Sequence, residues 1–393
     1  MASPQSRSGG SFDYAVVGAG LAGAATAWRL AQRGFHVAIL ERSEPANSTG
    51  SSHGSARIFR YAYEDPFYTG LVQSAAAGWK ELETAHGAPL IRPTGCLDFG
   101  EEHAPKRFAA GLDEAGVTHE LLSRDEASAR WPHFAFTTDV LWHPDAGVID
   151  AEGAVHAMVA AAVAHSATLL TDWTVASVAK SGAGYALTSS DGRTLDARNV
   201  IIAAGGWLPG LLGNLDLPST FLRSLPTFEV RQEMAFHFPY RDQPAPETPW
   251  PTFIHKAGGM QVYGLPGGRD AGHRGQKVAE YNGGKVLPDA AAQDGKIDPA
   301  HRQRMVDYVS QYLPGLVPEP YAETTCLFTN TPTEDFVIDR ADGITVLSPC
   351  SGHGAKFAPL LGELAADLAT GTGTVPARFR PSSGAVPARN STR

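Results

Sequence analysis

The stretch Asp13–Arg42, DYAVVGAGLAGAATAWRLAQRGFHVAILER, constrains the fold more than any other part of the chain. An apolar run, Tyr14–Val17, reads as a buried strand. Gly18, Gly20 and Gly23 then form a G-x-G-x-x-G loop that opens a helix, and a second apolar run, His36–Leu40, ends in Glu41. Each piece has a physical task. Gly18 permits a tight turn, Gly20 leaves bare backbone for a pyrophosphate, and Gly23 lets the helix lie close on the strand. The helix N-terminus offers unpaired N–H groups and a positive dipole end to phosphates. Glu41, 18 residues past Gly23, is placed to accept from ribose hydroxyls. Strand, helix, second strand and acid in this order point to a dinucleotide-binding βαβ unit. A glycine-rich turn in another α/β protein is the bland alternative.

Composition bounds the class. A chain of 393 residues, 43% hydrophobic and 19% charged, can bury a large core in one or two domains. A formal net charge of −9 without a basic run argues against nucleic acid or an anionic membrane as partner. Three cysteines (Cys96, Cys326, Cys350) cannot build a disulfide framework, and the absence of a C-x-x-C pair argues against a metal site. The opening MASPQSRSGG lacks the apolar core of a signal peptide, and no stretch has transmembrane length. These features lead us to expect a cytoplasmic protein, with disordered tails over 1–10 and 382–393.

The pattern further along alternates. Helices are expected over Leu71–Thr84, much of Ala104–Arg130, Ala151–His165 and Ala300–Leu313. Strand-like runs occupy Cys96–Phe99, Leu141–Ile149, Ala167–Leu187, Glu323–Asn330, Phe336–Ile338 and Ile344–Ser348. Asn199–Gly206, NVIIAAGG, reads as a buried strand ending in glycines, suited to a second backbone approach to the same cofactor. Phe221–Gly284 reads as a mainly antiparallel sheet. Arg57 and Arg60 stand three apart, and a helical turn would put both guanidiniums on one face. The glycine turn Ser351–Gly354 leads into a helix from about Lys356 to Ala369, with Pro359 in its first turn. The resulting expectation is an α/β, two-domain chain. A discontinuous Rossmann-like cofactor domain would comprise 11–90, 145–215 and 320–380. A mainly antiparallel β-sheet substrate domain would comprise 91–144 and 216–319.

Separated segments converge on one family. They are the N-terminal fingerprint with Glu41, GSSHGSARIFRYAY (Gly50–Tyr63), YGLP (Tyr263–Pro266) followed by GQKVAEY (Gly275–Tyr281), and TTCLFTNTPTEDFVID (Thr324–Asp339) followed by CSGHGAKF (Cys350–Phe357). In order and rough spacing the chain resembles the monomeric sarcosine oxidase and N-methyltryptophan oxidase family of flavin amine oxidases, within the D-amino-acid-oxidase-like fold. Nicotinamide enzymes share the glycine loop but not the cysteine strand or the SGHGxKF turn.

The resemblance implies FAD, joined through a thioether from Cys326. The plain reading of Cys326 is a small buried core thiol. By the same resemblance Lys277 is the cation that activates oxygen, because a fixed positive charge stabilises the negative charge developing on O2. Arg60 and Lys356 would bind a substrate carboxylate, arginine through its planar fork and lysine as a point charge. Arg57 and His53 would lie near the flavin edge, although a satisfied structural histidine explains His53 equally well. Gly352, His353 and Gly354, with the following helix, would face the pyrimidine end of the flavin. Arg42, Ser52, Val175 and Gly205 would complete the cofactor contacts, with Tyr263, Tyr281 and Phe328 on the substrate side.

The departures bear on substrate. Sarcosine-oxidising members carry a histidine four residues after the oxygen lysine and a tyrosine two residues after the flavin cysteine; here these places hold Tyr281 and Phe328. About three extra residues separate Tyr263 from Lys277 relative to that pattern. The expected activity is oxidation of a secondary amino acid, N-methyl or cyclic and larger or more apolar than sarcosine. Hydride would pass to flavin N5, leaving an imine, and O2 would reoxidise the flavin and yield H2O2. The expected protein is a monomer whose only partners are the amine and O2. Rival readings are an imine-forming biosynthetic flavin dehydrogenase or oxidase, a nicotinamide-dependent dehydrogenase, and a flavin-loaded interaction module without catalysis.

Overall fold

A computed structural model describes residues 11–245 and 247–384. Its first layer is an eight-stranded sheet. The parallel heart of that sheet is Thr168–Leu170, Val37–Leu40, Phe12–Val17, Thr194–Ile202 and Ile344–Ser348, side by side in that order. Val337–Ala341 adds an antiparallel edge, and the hairpin Val175–Ser181/Gly184–Ser189 pairs with the first half of Thr194–Ile202. Strands buried on both faces read as continuous apolar runs, as VVG and AIL do here. The helices Leu21–Gln32, Ala151–Ala164 and Ala358–Thr370 cover one face, joined by Pro66–His86. Small residues let them approach closely: a Cβ on Gly362 would lie 2.5 Å from the carbonyl carbon of Ala25.

The second layer is a nine-stranded sheet, antiparallel except where Thr252–Ala257 runs parallel to Cys96–Phe99. Strand alternation decides what this sheet shows to each side. Register pairs Ile254 with both Asp98 and Tyr263, Leu265 with Lys277, Lys277 with His237, and Glu233 with Cys326. Cross-strand partners share a face. Asp98, Ile254, Tyr263, Leu265, Lys277, Cys326 and Phe328 therefore all stand on one side. The alternate residues Leu97, Phe99, Phe236, Phe253, Val262 and Val278 point the other way, into a core with Met305, Tyr308 and Val309 of helix Pro299–Tyr312. The sheet's functional face is thus the one it does not spend on its own core.

Several local expectations need correction. Arg57–Phe59 is a strand paired with Gly147–Ile149, so the helical turn expected to align Arg57 and Arg60 does not form. Ser219–Ser224 is a short helix ahead of the antiparallel region, which begins at Glu229. The segment 104–130 is two helices, Pro105–Glu114 and Arg124–Arg130, around a short strand, Glu120–Leu122. A 3-10 turn, Gly354–Phe357, precedes the last long helix, which starts at Ala358. The tail positions 1–10 and 385–393 lie outside the described residues, whereas Pro381–Ser383 forms a turn whose Ser382 N–H donates to Asp339 Oδ2 at 2.7 Å. Among the described residues no helix is long and apolar enough to cross a membrane.

Candidate active site

The two layers enclose a cavity of about 590 Å³. Its floor is the C-terminal end of the parallel strands, where open α/β sheets bind ligands. There Gly18 (φ +98°) passes so close to the neighbouring strand end that a Cβ would lie 2.5 Å from the Ala203 carbonyl oxygen. A Cβ on Gly23 would lie 1.9 Å from the Gly18 oxygen, so helix and loop can meet only through glycine. Gly20 ends the loop as the helix N-cap without a capping side chain of its own. Ser52 reaches across instead: its Oγ accepts from Leu21 N at 3.0 Å. The Glu41 carboxylate is buried, accepts from Ala19 N at 2.8 Å and lines the cavity. Arg42 stacks on Trp207 at 4.3 Å beside Val175 and Gly205. A bare glycine floor, a helix N-terminus and a carboxylate at the second strand's end fit a dinucleotide, and the residues present therefore suit FAD.

The wall is built from side chains. Lys277 is 6% exposed, and its ammonium has no hydrogen-bond acceptor among the described residues. Burial, then the Arg57 guanidinium, push its pKa down to about 8. Cys326 shares this corner, its thiol pushed up by burial. Arg57 spends its guanidinium on the loop beneath, donating to the carbonyls of Ser51 (3.0 Å), His53 (2.8 Å) and Ala56 (2.8 Å). His53 Nε2 lies 3.1 Å from the Thr325 carbonyl, and burial, then Arg57 and Lys277, hold its pKa near 4. It is a neutral donor that ties the loop to the Cys326 strand.

Arg60 and Lys356 form the opposite corner. Arg60 donates to the Ala62 carbonyl and stands 3.7 Å from Asp98, a carboxylate with no exposed surface. Burial would raise the Asp98 pKa, but a 2.6 Å bond from His103 and the Arg60 charge hold it near 2. Lys356 Nζ donates to Tyr63 Oη and to the His353 carbonyl, both at 2.9 Å. Tyr63 Oη is 3.1 Å from His353 Nδ1, whose Nε2 meets the Glu334 carbonyl at 3.0 Å. Tyr281 and Phe328 pack over the glycine turn, where a Cβ on Gly352 (φ +69°) would sit 2.6 Å from either ring.

Of the residues singled out from sequence, all but His53 and Gly23 line this cavity. His53 lies behind the wall and Gly23 beneath the floor. Asp98, His103, His143, Tyr63, Gln261 and Trp207 escaped sequence reasoning. A signal existed for two of them: Asp98 is a carboxylate inside an otherwise apolar strand, CLDF, and Tyr63 ends the segment GSSHGSARIFRYAY. Ligand-type atoms of Cys96, Asp98 and His143 lie within 4.8 Å of one another, a grouping without a spacing motif. Here the Arg60 and His103 contacts already engage the carboxylate.

Known proteins resemble the chain along nearly its whole length. It is 32% identical to monomeric sarcosine oxidase of Streptomyces avermitilis over 92% of this chain and 94% of that one. It is 28% identical to N-methyl-L-tryptophan oxidase of Yersinia pestis over 90% and 94%. The solved structure of NikD, an unusual amino acid oxidase essential for nikkomycin biosynthesis, matches with a TM-score of 0.82 at 26% identity, covering 94% of this chain and 97% of that one. The model of the FAD dependent oxidoreductase family matches residues 13–368. With its glycine floor, acid-tipped second strand and match to that model, the chain belongs to the FAD-dependent oxidoreductase family.

Proposed function

We propose that the protein is an oxidase of secondary amino acids, N-methyl or cyclic, that uses O2. The observation that carries this reading is the convergence of Lys277, Cys326, Arg60 and Lys356, from distant strands and turns, on one cavity that also contains the glycine floor. The kinship with proteins named sarcosine oxidase and N-methyltryptophan oxidase supports it. The chemistry supplied by bound FAD is hydride acceptance and the return of two electrons to O2 as hydrogen peroxide.

The chain's own residues do the rest. Arg60 and Lys356 hold the substrate carboxylate, which fixes the carbon bearing the hydride. Lys277, a buried cation held by its strand rather than by a partner, offers its charge to oxygen. Cys326 carries the thioether to the flavin in this reading. Tyr281 and Phe328 shape the substrate side and favour a larger or more apolar amino acid than sarcosine. We assign the cofactor domain to 11–90, 145–215 and 320–380 and the substrate domain to 91–144 and 216–319, in a cytoplasmic monomer.

A peroxide-release screen of N-methyl and cyclic amino acids tests the reading, run beside Lys277→Met. The expected outcome is peroxide from at least one secondary amine. In the variant, reoxidation should fall about a hundredfold, a loss typical of removing one preorganised charge stabiliser, while anaerobic reduction changes little. Peroxide from none of them, or equal reoxidation in both proteins, would remove the assignment.

A further inference from the structure

The hydrogen bonds around Lys356 run in one direction only. The Glu334 carbonyl accepts from His353 Nε2, so that nitrogen carries the ring proton. Burial, the largest cause, lowers the pKa of the ring and keeps it neutral. His353 Nδ1 is therefore a lone pair, and Tyr63 must spend its only O–H on it. The Tyr63 oxygen is left to accept, from Lys356 Nζ. A second N–H of Lys356 goes to the His353 carbonyl. Two hydrogens are committed, and a free amine has just two. The remaining tetrahedral position on Nζ is filled by no described residue, and Lys356 lines the cavity.

The charges facing this nitrogen come from every side. Arg60 is the nearest cation, already neutralised by Asp98 at 3.7 Å. Tyr63 and Cys96 are protonated, their pKa values pushed up by burial. His353 is neutral. No carboxylate lies within ion-pair distance of Nζ among the described residues. Burial, then Arg60, push the pKa of Lys356 well below its ordinary value.

We propose that Lys356 is the proton acceptor of the reaction: it enters as a free amine and takes the proton from the bound substrate's ammonium group. It thereby becomes the ammonium partner of the substrate carboxylate. This rests on the secondary amino acid reading above. The balance is simple: R2NH2⁺ and the lysine amine become R2NH and the lysine ammonium, with no electrons moved. The amine lone pair that must drive hydride loss is released in the same step that anchors the carboxylate. In an α-amino acid the two groups sit on one carbon, so a base that reaches one reaches the other.

The test uses the holoenzyme and carboxylates that carry an ether oxygen in place of the amine, methoxyacetate and tetrahydrofuran-2-carboxylate. Such ligands bring no proton, so binding must draw one from solvent. Expected are uptake of close to one proton, read by calorimetry in two buffers of unlike ionisation enthalpy, and a Kd that rises about tenfold per pH unit above the Lys356 pKa. Lys356→Met should lose the uptake, and Lys277→Met should keep it. A Kd flat between about pH 6.5 and about pH 9 with no uptake in the unmodified protein, or uptake surviving in Lys356→Met, overturns the proton transfer alone. Failure of both ethers to bind at any pH overturns the secondary amino acid reading and the transfer with it.

Discussion

The floor and the wall of the cavity are made differently. The floor is backbone: Gly18, Gly20 and Gly23 act by lacking side chains, Gly18 and Gly23 against main-chain atoms nearby in sequence or at the adjacent strand's end, Gly20 against the Ser52 hydroxyl. The wall is side chain: Lys277, Cys326 and Tyr263 reach it only because four strands, their own three and Glu229–Pro239 between two of them, pair in one register. A floor of this kind tolerates no added atom, since the atom would strike peptide groups that cannot rotate away. A wall of this kind tolerates changes of shape but not of charge balance, because its cations are buried with few counterions. Substitutions that treat the two alike should therefore fail in different ways.

The sharpest break is at the floor. Gly23→Ala places a Cβ 1.9 Å from the Gly18 carbonyl oxygen, and neither helix nor loop has room to yield. We expect the purified variant to be colourless or aggregated, a loss above about 4 kcal/mol of the kind reserved for backbone collisions. Gly111→Ala is the control: it lies in helix Pro105–Glu114 with nothing within 4 Å of the new methyl, and it should gain up to about 1 kcal/mol. Flavin absorbance per polypeptide and a urea midpoint separate the two. A yellow Gly23→Ala with full flavin content would mean that the floor is not rigid.

The same contrast decides what could be read from sequence. The floor was legible because its geometry demands glycine at fixed spacing, and so was the parallel heart of the first sheet, whose strands are unbroken apolar runs. Lys277, Cys326, Arg60 and Lys356 were legible only through resemblance; nothing in their local pattern separates them from surface lysines or core thiols. Asp98 and Tyr63 act on Arg60 and Lys356 through tertiary contacts that no periodicity encodes. Arg57 and Arg60 were expected on a helical turn because an i, i+3 spacing invites it. The strand won because Arg57–Phe59 pairs with Gly147–Ile149, a partner far along the chain.

A change of charge should break the wall without touching the floor. Asp98→Asn keeps the shape of the side chain but leaves Arg60 buried beside a neutral amide, while His103 loses its acceptor charge. Removing one partner of a buried pair costs about 3–5 kcal/mol. The expected result is a urea midpoint shift of that size, with a weaker Kd for methoxyacetate because the guanidinium is no longer held. A loss below about 1 kcal/mol, the scale of an exposed pair, would show that water reaches Arg60 and that Asp98 does not hold it. The linkage has a definite sign. Asp98 titrates near 2 in the folded chain, below its ordinary value, so its contribution is full above about pH 4 and is lost as pH falls through about 2.

The smallest effect tests where wall and floor touch. Tyr281 opens the turn that follows Gly275–Glu280, the strand that carries Lys277, and its hydroxyl lies 2.8 Å from the Ser351 carbonyl and 3.0 Å from Glu334 Oε1. Its ring, with that of Phe328, covers Gly352 so closely that the glycine turn cannot rise. Tyr281→Phe keeps the ring and removes only the hydroxyl. If the turn is held by ring packing, the variant loses about 1 kcal/mol of stability for one hydrogen bond and KM for the preferred amine moves no more than a few-fold. If the hydroxyl itself sets the turn, the Gly352–Gly354 backbone relaxes and KM for that amine rises well beyond a few-fold. The packing distances favour the first outcome: two rings in contact with one α-carbon constrain the turn from the side, whereas the hydroxyl proton can serve only one of its two acceptors at a time.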